Sequence, residues 1–227
     1  MNLHYTYSID VEYAYINYLP NNANSVEYKD QCVRSCEDVG MKYKLWPAFD
    51  GTGEKIITPE HLIDRSWLKW IKCSNPTLDK YEIANFLTHV SLWAECVELD
   101  KPIVILEHDA IMLQAVTQHP AINIIVYLGS HEQVENNFQS TPIPMMLQWQ
   151  GFRCLGRSHA YSIDPFIARR LLSSVLVNGI NKSIDVYMRA DIFTQIQNGI
   201  YAYDQKCESV IKRNKSPEDI RICGKIL

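Results

Sequence analysis

The segment from Pro102 to Glu107, PIVILE, strongly limits how this chain can fold. Its apolar residues follow one another without the apolar–polar alternation of a strand that has one face in water. It comes directly after a long amphipathic pattern that predicts a helix between Asp79 and Leu99. A strand covered on both faces and preceded by a helix is typical of α/β proteins, so we predict a mostly parallel central sheet.

The helix between Asp79 and Leu99 is the most clearly encoded element. Asp79 and Glu82 have the spacing of a capping box, with Asp in place of the usual Ser or Thr. Apolar residues then recur at helical intervals and share one face. Glu82, His89 and Trp93 line up along the edge of that face. This polar edge beside a buried face is where we expect a cleft to be lined, although a lone helical histidine such as His89 is more often a buried, hydrogen-bonded residue.

The pattern on either side of this helix extends the α/β interpretation. Residues 11–18 predict a strand, residues 26–39 a helix that ends at Gly40, and residues 42–46 a second strand, which together form a parallel strand–helix–strand unit. Farther along, we predict a strand in AINIIVYLG, weaker strands in PMMLQWQG and SHAYSID, a helix from Asp164-Pro165 to Val177, another from about Ser183 to Gln197, and a short IYAY segment. We therefore predict a single domain over residues 1–227, with a polar tail from about 204 to 227.

Charge and cysteine content narrow the classes of function. With 22 basic and 26 acidic residues spread along the chain, no large basic field is available to attract nucleic acid. Seven cysteines without a CxxC pair favour reduced thiols over a zinc ribbon or a disulfide framework. No stretch resembles a signal peptide or approaches the roughly 20 apolar residues that span a bilayer. We therefore expect a cytoplasmic protein without a transmembrane segment.

Two carboxylates stand at the end of PIVILE, where Glu107 and Asp109 flank His108. In an extended chain these two side chains point to the same side. Ligands of open α/β sheets bind beyond the carboxyl ends of strands, and paired carboxylates there suit Mg²⁺ or Mn²⁺. The alternative is that acidic residues merely end a strand at the surface, which is the commoner meaning of an isolated pair. Zinc is disfavoured because the chain has no HExxH motif, and GxSxG and phosphate-loop motifs are missing as well.

The order and spacing of several segments resemble glycosyltransferase family 25, which contains bacterial lipooligosaccharide galactosyltransferases and procollagen galactosyltransferases. The resemblance runs from about Tyr15 to Asp185. The segments that carry it are YIN, GMKYKLWPAFDG, YEIANFLTHVSLW, IVILEHDAIM, GRSHAYSIDPFIARRLL and SIDVYM.

This resemblance implies a GT-A-like, Rossmann-type fold that transfers a galactose-like sugar from a nucleotide-diphosphate donor, a UDP-sugar, to a hydroxyl on a glycan or other acceptor. It also implies a place in lipopolysaccharide biosynthesis and inversion at the transferred carbon. Glu107 and Asp109 would hold Mn²⁺ or Mg²⁺ on the diphosphate, where a cation offsets the negative charge of the leaving group. Asp185 is our candidate for the base that deprotonates the acceptor, or alternatively a metal or acceptor ligand.

Further positions follow from the same resemblance. Those expected to contact the donor, brace the acidic loop, or lie near the acceptor or the metal are Asn17, Asp50, Gly51, Glu82, His89, His159 and Tyr161. The arginine that the family usually places after YIN is absent, so a basic contact to the diphosphate is either missing or supplied by Arg34, Arg65 or Arg157.

His108 stands where the family has an aspartate. This departure keeps open a second hypothesis, a non-catalytic relative that binds a nucleotide sugar or glycan or acts as a scaffold. A weaker third hypothesis is a metal-dependent phosphoester hydrolase.

Overall fold

The structure is a computed structural model that describes residues 8–121, 124–128, 158–185, 187–188, 201–204 and 211–213. The helices are α1 (Ala23–Asp38), α2 (Lys80–Leu99) and α3 (Pro165–Asn178). The strands are β1 (Ser8–Asp10), β2 (Ala14–Tyr18), β3 (Tyr43–Pro47), β4 (Ile103–Glu107), β5 (Ala110–Met112), β6 (Gln118–Pro120), β7 (Ile124–Tyr127), β8 (Ala160–Ile163), β9 (Tyr201–Asp204) and β10 (Ile211–Arg213). Two short 3-10 helices, Glu60–Leu62 and Ser66–Trp70, lie between β3 and α2.

The described strands build a central six-stranded sheet in the order β3-β2-β4-β8-β7-β9. β2 is parallel to both β3 and β4, and β7 is parallel to β9. Only β8 runs against its two neighbours, β4 and β7. The predicted α/β fold with a mostly parallel sheet is therefore confirmed. Two small antiparallel pairs, β1 with β6 and β5 with β10, flank it, and β10 falls within the tail predicted from the sequence.

Hydrophobic clusters cover both faces of the sheet. Ile103 and Ile105 of β4 belong to the cluster that contains buried residues of α2 and α3. The alternate residues, Val104 and Leu106, belong to the cluster that contains Cys32 and Cys36 of α1. PIVILE has no polar alternation because both of its faces are buried, as the sequence predicts.

The ends of the helices follow from their capping residues. Asp79 accepts a hydrogen bond from the Glu82 backbone N–H at 2.8 Å, and Glu82 accepts one from the Asp79 N–H at 3.1 Å, which confirms the capping box. Asp164 caps α3 in the same way by accepting from the Ile167 N–H. α1 begins at Ala23, three residues before its predicted start, because Asn22 accepts from the Ser25 N–H and acts as the N-cap.

The strands predicted in AINIIVYLG and SHAYSID are present as β7 and β8. The predicted strand in PMMLQWQG lies outside the described residues, and so does most of the predicted helix from Ser183 to Gln197. None of the helices in the described ranges combines the length and apolar character needed to cross a membrane. The four described cysteines, Cys32, Cys36, Cys73 and Cys96, have free thiols.

The loop after β3 is held against α2. The Phe49 N–H donates to the Thr88 hydroxyl at 3.0 Å, and the Trp46 indole donates to the Ser91 hydroxyl at 3.0 Å. Gly51 lies so close to the first turn of α2 that a Cβ atom there would be 2.4 Å from the Lys80 carbonyl oxygen. Residue 51 is therefore restricted to glycine by the space available.

We expect Gly51→Ala to lower the free energy of unfolding by about 1–3 kcal/mol, because the added methyl group forces two backbone segments apart. Gly53→Ala is the matched control, since a Cβ atom at that position would meet nothing closer than 3.8 Å. Urea unfolding of both variants measures the difference. Equal unfolding midpoints for the two variants would show that the loop does not approach α2 this closely.

Candidate functional site

Several of the residues predicted to form a site lie at the carboxyl edge of the parallel strands. Asn17 of β2 lies opposite Glu107 of β4 in the strand register. Because β8 is antiparallel to β4, the residues that precede it arrive at this same edge, and the Glu107 N–H donates to the His159 carbonyl at 2.8 Å. The carboxyl end of β4 is thus brought beside the amino end of β8, which lies at the edge where α/β sheets bind ligands.

A buried chain of hydrogen bonds joins α2 to this edge. The Trp93 indole N–H donates to the Tyr161 hydroxyl at 2.9 Å, and that hydroxyl is 2.8 Å from Nδ1 of His89. Nε2 of His89 is 3.4 Å from Oε1 of Glu107. The side chains of Trp93, Tyr161 and His89 are fully buried.

The order of donors and acceptors favours one tautomer of neutral His89. The Trp93 indole can only donate, so it occupies one lone pair of the Tyr161 oxygen. When the Tyr161 O–H donates to Nδ1, neutral His89 carries its proton on Nε2 and directs it at the Glu107 carboxylate. This tautomer gives each of the three donors an acceptor. Glu107 is then the last acceptor in this series of hydrogen bonds.

Ser158 connects two of the predicted carboxylates. Its hydroxyl donates to Oε1 of Glu107 at 2.6 Å, and its backbone N–H donates to Oδ1 of Asp185 at 2.7 Å. One residue therefore holds both the predicted metal ligand and the predicted base. The sequence interpretation missed Ser158, because an ordinary serine next to His159 carries no signal of contacts to residues 51 and 27 positions away.

Asp109 does not continue β4. The strand ends at Glu107, and residues 108–109 form a turn, so the alternation of an extended chain does not apply to them. Asp109 is only 2% exposed. A hydrogen bond with Cys36 and burial raise the pKa of the Cys32 thiol, and the Asp109 carboxylate adds to that rise. Asp109 is therefore within electrostatic reach of α1, whereas Glu107 contacts His89 of α2.

His108 also lies toward α1, where its ring stacks on Tyr28 with 6.0 Å between the ring centroids. The position of His108 is thus explained by its packing against Tyr28.

Glu107 and Asp109 are ligands of the chemical type that one mode of cation binding uses. Among the described residues, no group of three or more His, Cys, Asp or Glu side chains is arranged to hold a metal ion. Mg²⁺ commonly takes one or two protein carboxylates and completes its shell with phosphate oxygens and water. The hard oxygen donors of Glu107 and Asp109 suit that mode, in which a diphosphate supplies part of the coordination.

Asn17 presents an unpaired polar group at the edge. Its side chain is 4% exposed, and within the described residues its amide nitrogen has no hydrogen-bond partner. Leaving a buried donor without an acceptor is energetically unfavourable. The amide of Asn17 is therefore able to donate a hydrogen bond to an acceptor atom of a ligand bound at this edge.

Three other predicted residues have local structural roles. Glu82 is engaged in the α2 capping box, about two turns or 10 Å along the helix from His89. Asp50 accepts from the backbone and the hydroxyl of Thr52, at 2.8 and 2.6 Å, and Gly51 packs on the start of α2. Their contacts to a donor remain predictions.

The arginines considered for the diphosphate differ in position. Arg65 is ion-paired with Glu95 at 2.8 Å and Glu98 at 2.9 Å, so its charge is already engaged on α2. Arg34 is exposed on α1. Arg157 lies outside the described residues.

We expect Tyr161→Phe to lower the free energy of unfolding by about 1–3 kcal/mol, because it leaves the buried Trp93 N–H and Nδ1 of His89 without their partner. The matched control is Tyr43→Phe, which removes a hydroxyl bonded to Glu37 at an exposed position. That change should stay within about 0.5 kcal/mol. Denaturant unfolding of both variants checks this, and a Tyr161→Phe protein as stable as the unsubstituted chain would contradict the buried hydrogen-bond chain.

Comparison with known proteins relates this site to a family. Residues 15–146, more than half of the chain, match the model of glycosyltransferase family 25, described as an LPS biosynthesis protein. Among solved structures, the chain is similar to the crystal structure of a glycosyltransferase involved in the glycosylation of the major capsid of PBCV-1, with 11% sequence identity and a TM-score of 0.44, over 92% of this chain and 96% of that chain. The comparison with curated proteins gives no match. The family match begins at Tyr15, as the resemblance predicts, and includes Asn17, His89, Glu107 and Asp109. The chain belongs to glycosyltransferase family 25.

Proposed function

We propose that this glycosyltransferase moves a galactose-like hexose from a UDP-sugar to a hydroxyl on a glycan or other acceptor, in a metal-dependent reaction that inverts the transferred carbon. The observation that carries the proposal is the bridge through Ser158, which joins the Glu107 and Asp185 carboxylates at 2.6 and 2.7 Å at the carboxyl edge of the sheet. The proposed reaction needs one carboxylate to hold the cation on the leaving diphosphate and another to deprotonate the acceptor, both in the same site.

The donor side of the site is supported by Asn17. Its buried amide lies at the end of β2, opposite Glu107 in the register. An amide group can both donate to and accept from the edge of a pyrimidine base. We therefore assign the nucleoside of the donor to the end of β2 and its diphosphate to the end of β4.

The diphosphate needs positive charge when it leaves. Glu107 and Asp109 would hold the divalent cation, which when bound offsets the negative charge that develops on the departing phosphate oxygens. The protein contributes the orientation of Glu107, since the Ser158 hydroxyl and Nε2 of His89 both approach Oε1 of that side chain. Ser158 and His89 are thus positioning residues in this scheme.

The acceptor side depends on Asp185. Inversion takes place by a single displacement, in which a base removes the proton of the acceptor hydroxyl as its oxygen attacks the sugar carbon. The hydrogen bond from the Ser158 N–H fixes one oxygen of the Asp185 carboxylate. Glu82 and His89 are assigned to supporting contacts, because both are engaged with neighbouring residues of the protein.

We expect the full chain to turn over a UDP-sugar in the presence of Mn²⁺ or Mg²⁺, and Glu107→Gln and Asp109→Asn to lower that turnover about 100-fold or more. Each substitution removes one negative charge and keeps the shape of the side chain. The matched control is Glu12→Gln, an exposed acid outside the site, which should retain activity. Release of UDP across a panel of nucleotide sugars measures turnover, and full activity in both site variants would overturn the metal assignment.

Calorimetry with UDP, with and without Mn²⁺, separates this function from its alternative. Metal-linked UDP binding together with turnover supports the enzyme. Metal-independent binding without turnover of any nucleotide sugar supports a non-catalytic binding protein instead.

We expect Asp185→Asn to lower kcat by about 10²–10⁴-fold while leaving the affinity for UDP with Mn²⁺ unchanged, because only the removal of the acceptor proton is impaired. Loss of UDP affinity in this variant would reassign Asp185 to the metal or the donor. The anomeric configuration of the product, followed by NMR, gives an independent check, and a retained configuration would overturn both the inverting reaction and the role of Asp185 as its base.

A further inference from the structure

Two segments carry basic residues and no acidic ones. One contains α3, and the other contacts the end of that helix. Residues 66–78 and 165–184 contain Lys69, Lys72, Arg169, Arg170 and Lys182, without a single Asp or Glu. In the chain as a whole, acidic residues outnumber basic ones by 26 to 22. The positive charge is therefore a local feature of these two segments, which we call the basic surface.

Backbone contacts make the basic surface continuous. The Ile180 N–H donates to the Lys72 carbonyl at 2.8 Å, and the Ser74 N–H donates to the Ile180 carbonyl at 2.9 Å. Gly179 permits this close approach, since a Cβ atom there would be 2.4 Å from the Lys72 oxygen. The segment that follows the 3-10 helix Ser66–Trp70 is thus fixed to the end of α3.

Large apolar side chains are exposed among these charges. Trp70 is 73% exposed and Val177 is 82% exposed. Phe166 and Leu176 are also exposed, and their spacing places them with Arg169 and Val177 on the outer side of α3. Arg170 lies over the Phe166 ring, with 5.7 Å from the guanidinium carbon to the ring centroid. Neighbouring apolar and basic groups of this kind mark an interaction surface.

Acidic groups beside the basic surface are partly offset. Glu95 and Glu98 of α2 are ion-paired with Arg65, which immediately precedes residues 66–78. Three aspartates directly adjoin the two segments and are engaged within the protein, since Asp79 and Asp164 cap α2 and α3 and Asp185 accepts from the Ser158 N–H. Lys69 and Lys72 are exposed to solvent. The lysine charges therefore remain available to an external partner.

We propose that the basic surface binds the face of an anionic lipid bilayer. Tryptophan is favoured at the boundary between lipid and water, where its ring contacts apolar groups and its N–H stays hydrated. Lysine and arginine are attracted to anionic headgroups, and their aliphatic stems can lie along apolar surface. A dissolved polyanion would neutralise the same charges but would leave Trp70 and Val177 in water, so the exposed apolar side chains favour a bilayer.

The basic surface also leads toward the site. Asp185 is five residues after Ile180, so the chain passes directly from the basic surface to the predicted acceptor side. A bilayer bound there would bring lipid-linked acceptors close to Asp185. Binding itself requires none of the proposed catalytic steps and can be measured without turnover.

Sedimentation of the full chain with vesicles tests the proposal. We expect binding to phosphatidylcholine vesicles that contain about one-third phosphatidylglycerol, little binding to phosphatidylcholine alone, and weakening of the binding by added salt. The double variant Lys69→Ala/Lys72→Ala should bind the anionic vesicles roughly 25-fold more weakly, since each basic side chain near an anionic membrane contributes about fivefold. Trp70→Ala should weaken binding about fivefold or more.

The controls are Lys55→Ala and Leu113→Ala, which change an exposed lysine and a half-exposed leucine outside the basic surface and should bind as the unsubstituted chain does. Melting temperatures of all variants establish that they are folded. Equal binding to both kinds of vesicle, no binding, or unchanged binding of the lysine double variant would overturn the proposal. Binding to soluble heparin that is as strong as vesicle binding and insensitive to Trp70→Ala would identify a polyanion site instead.

Discussion

The buried chain of hydrogen bonds from Trp93 through Tyr161 and His89 to Glu107 is the interaction on which the site depends. It lies between α2 and the sheet, where Trp93, Tyr161 and His89 are fully buried, and a buried polar group that loses its partner is energetically costly, so these side chains must hold one arrangement. That requirement fixes the rotation of α2 over β4 and β8. It also sets the orientation of a carboxylate at the edge of the sheet, so the same contacts stabilise the fold and prepare the site.

The reversed direction of β8 is the second constraint. A sixth parallel strand would bring its carboxyl end to the ligand edge, but β8 brings its amino end there, together with Ser158 and His159. The backbone and side chain of Ser158 can then reach Asp185 and Glu107 at the same time. Asp164, at the opposite end of β8, caps α3. A short antiparallel strand thus connects the site to the helix that carries the basic surface.

The features that the sequence predicts correctly depend on residues that are close together in the chain. The capping box of α2, the covered strand β4 and the start of α3 at Asp164-Pro165 each depend on residues a few positions apart, and each is confirmed. The direction of β8 depends on pairing between distant segments, so periodicity cannot supply it. Ser158 was missed for the same reason. Asp109 does not point to the same side as Glu107 in the way that an extended chain predicts, because the chain turns after Glu107. A turn of two residues that contains neither glycine nor proline is weakly marked in the sequence.

The different surroundings of Glu107 and Asp109 bear on how a cation could be held. Glu107 is oriented by Ser158 and His89, while Asp109 is buried within electrostatic reach of Cys32 on α1. The two carboxylates carry like charges only two residues apart in the sequence, and like charges repel each other. In the proposed function, a cation bound to both side chains together with the donor diphosphate would relieve that repulsion. On this view, binding of the donor would also stabilise the packing of α1 and α2 on the sheet, since ligand and fold would use the same two side chains.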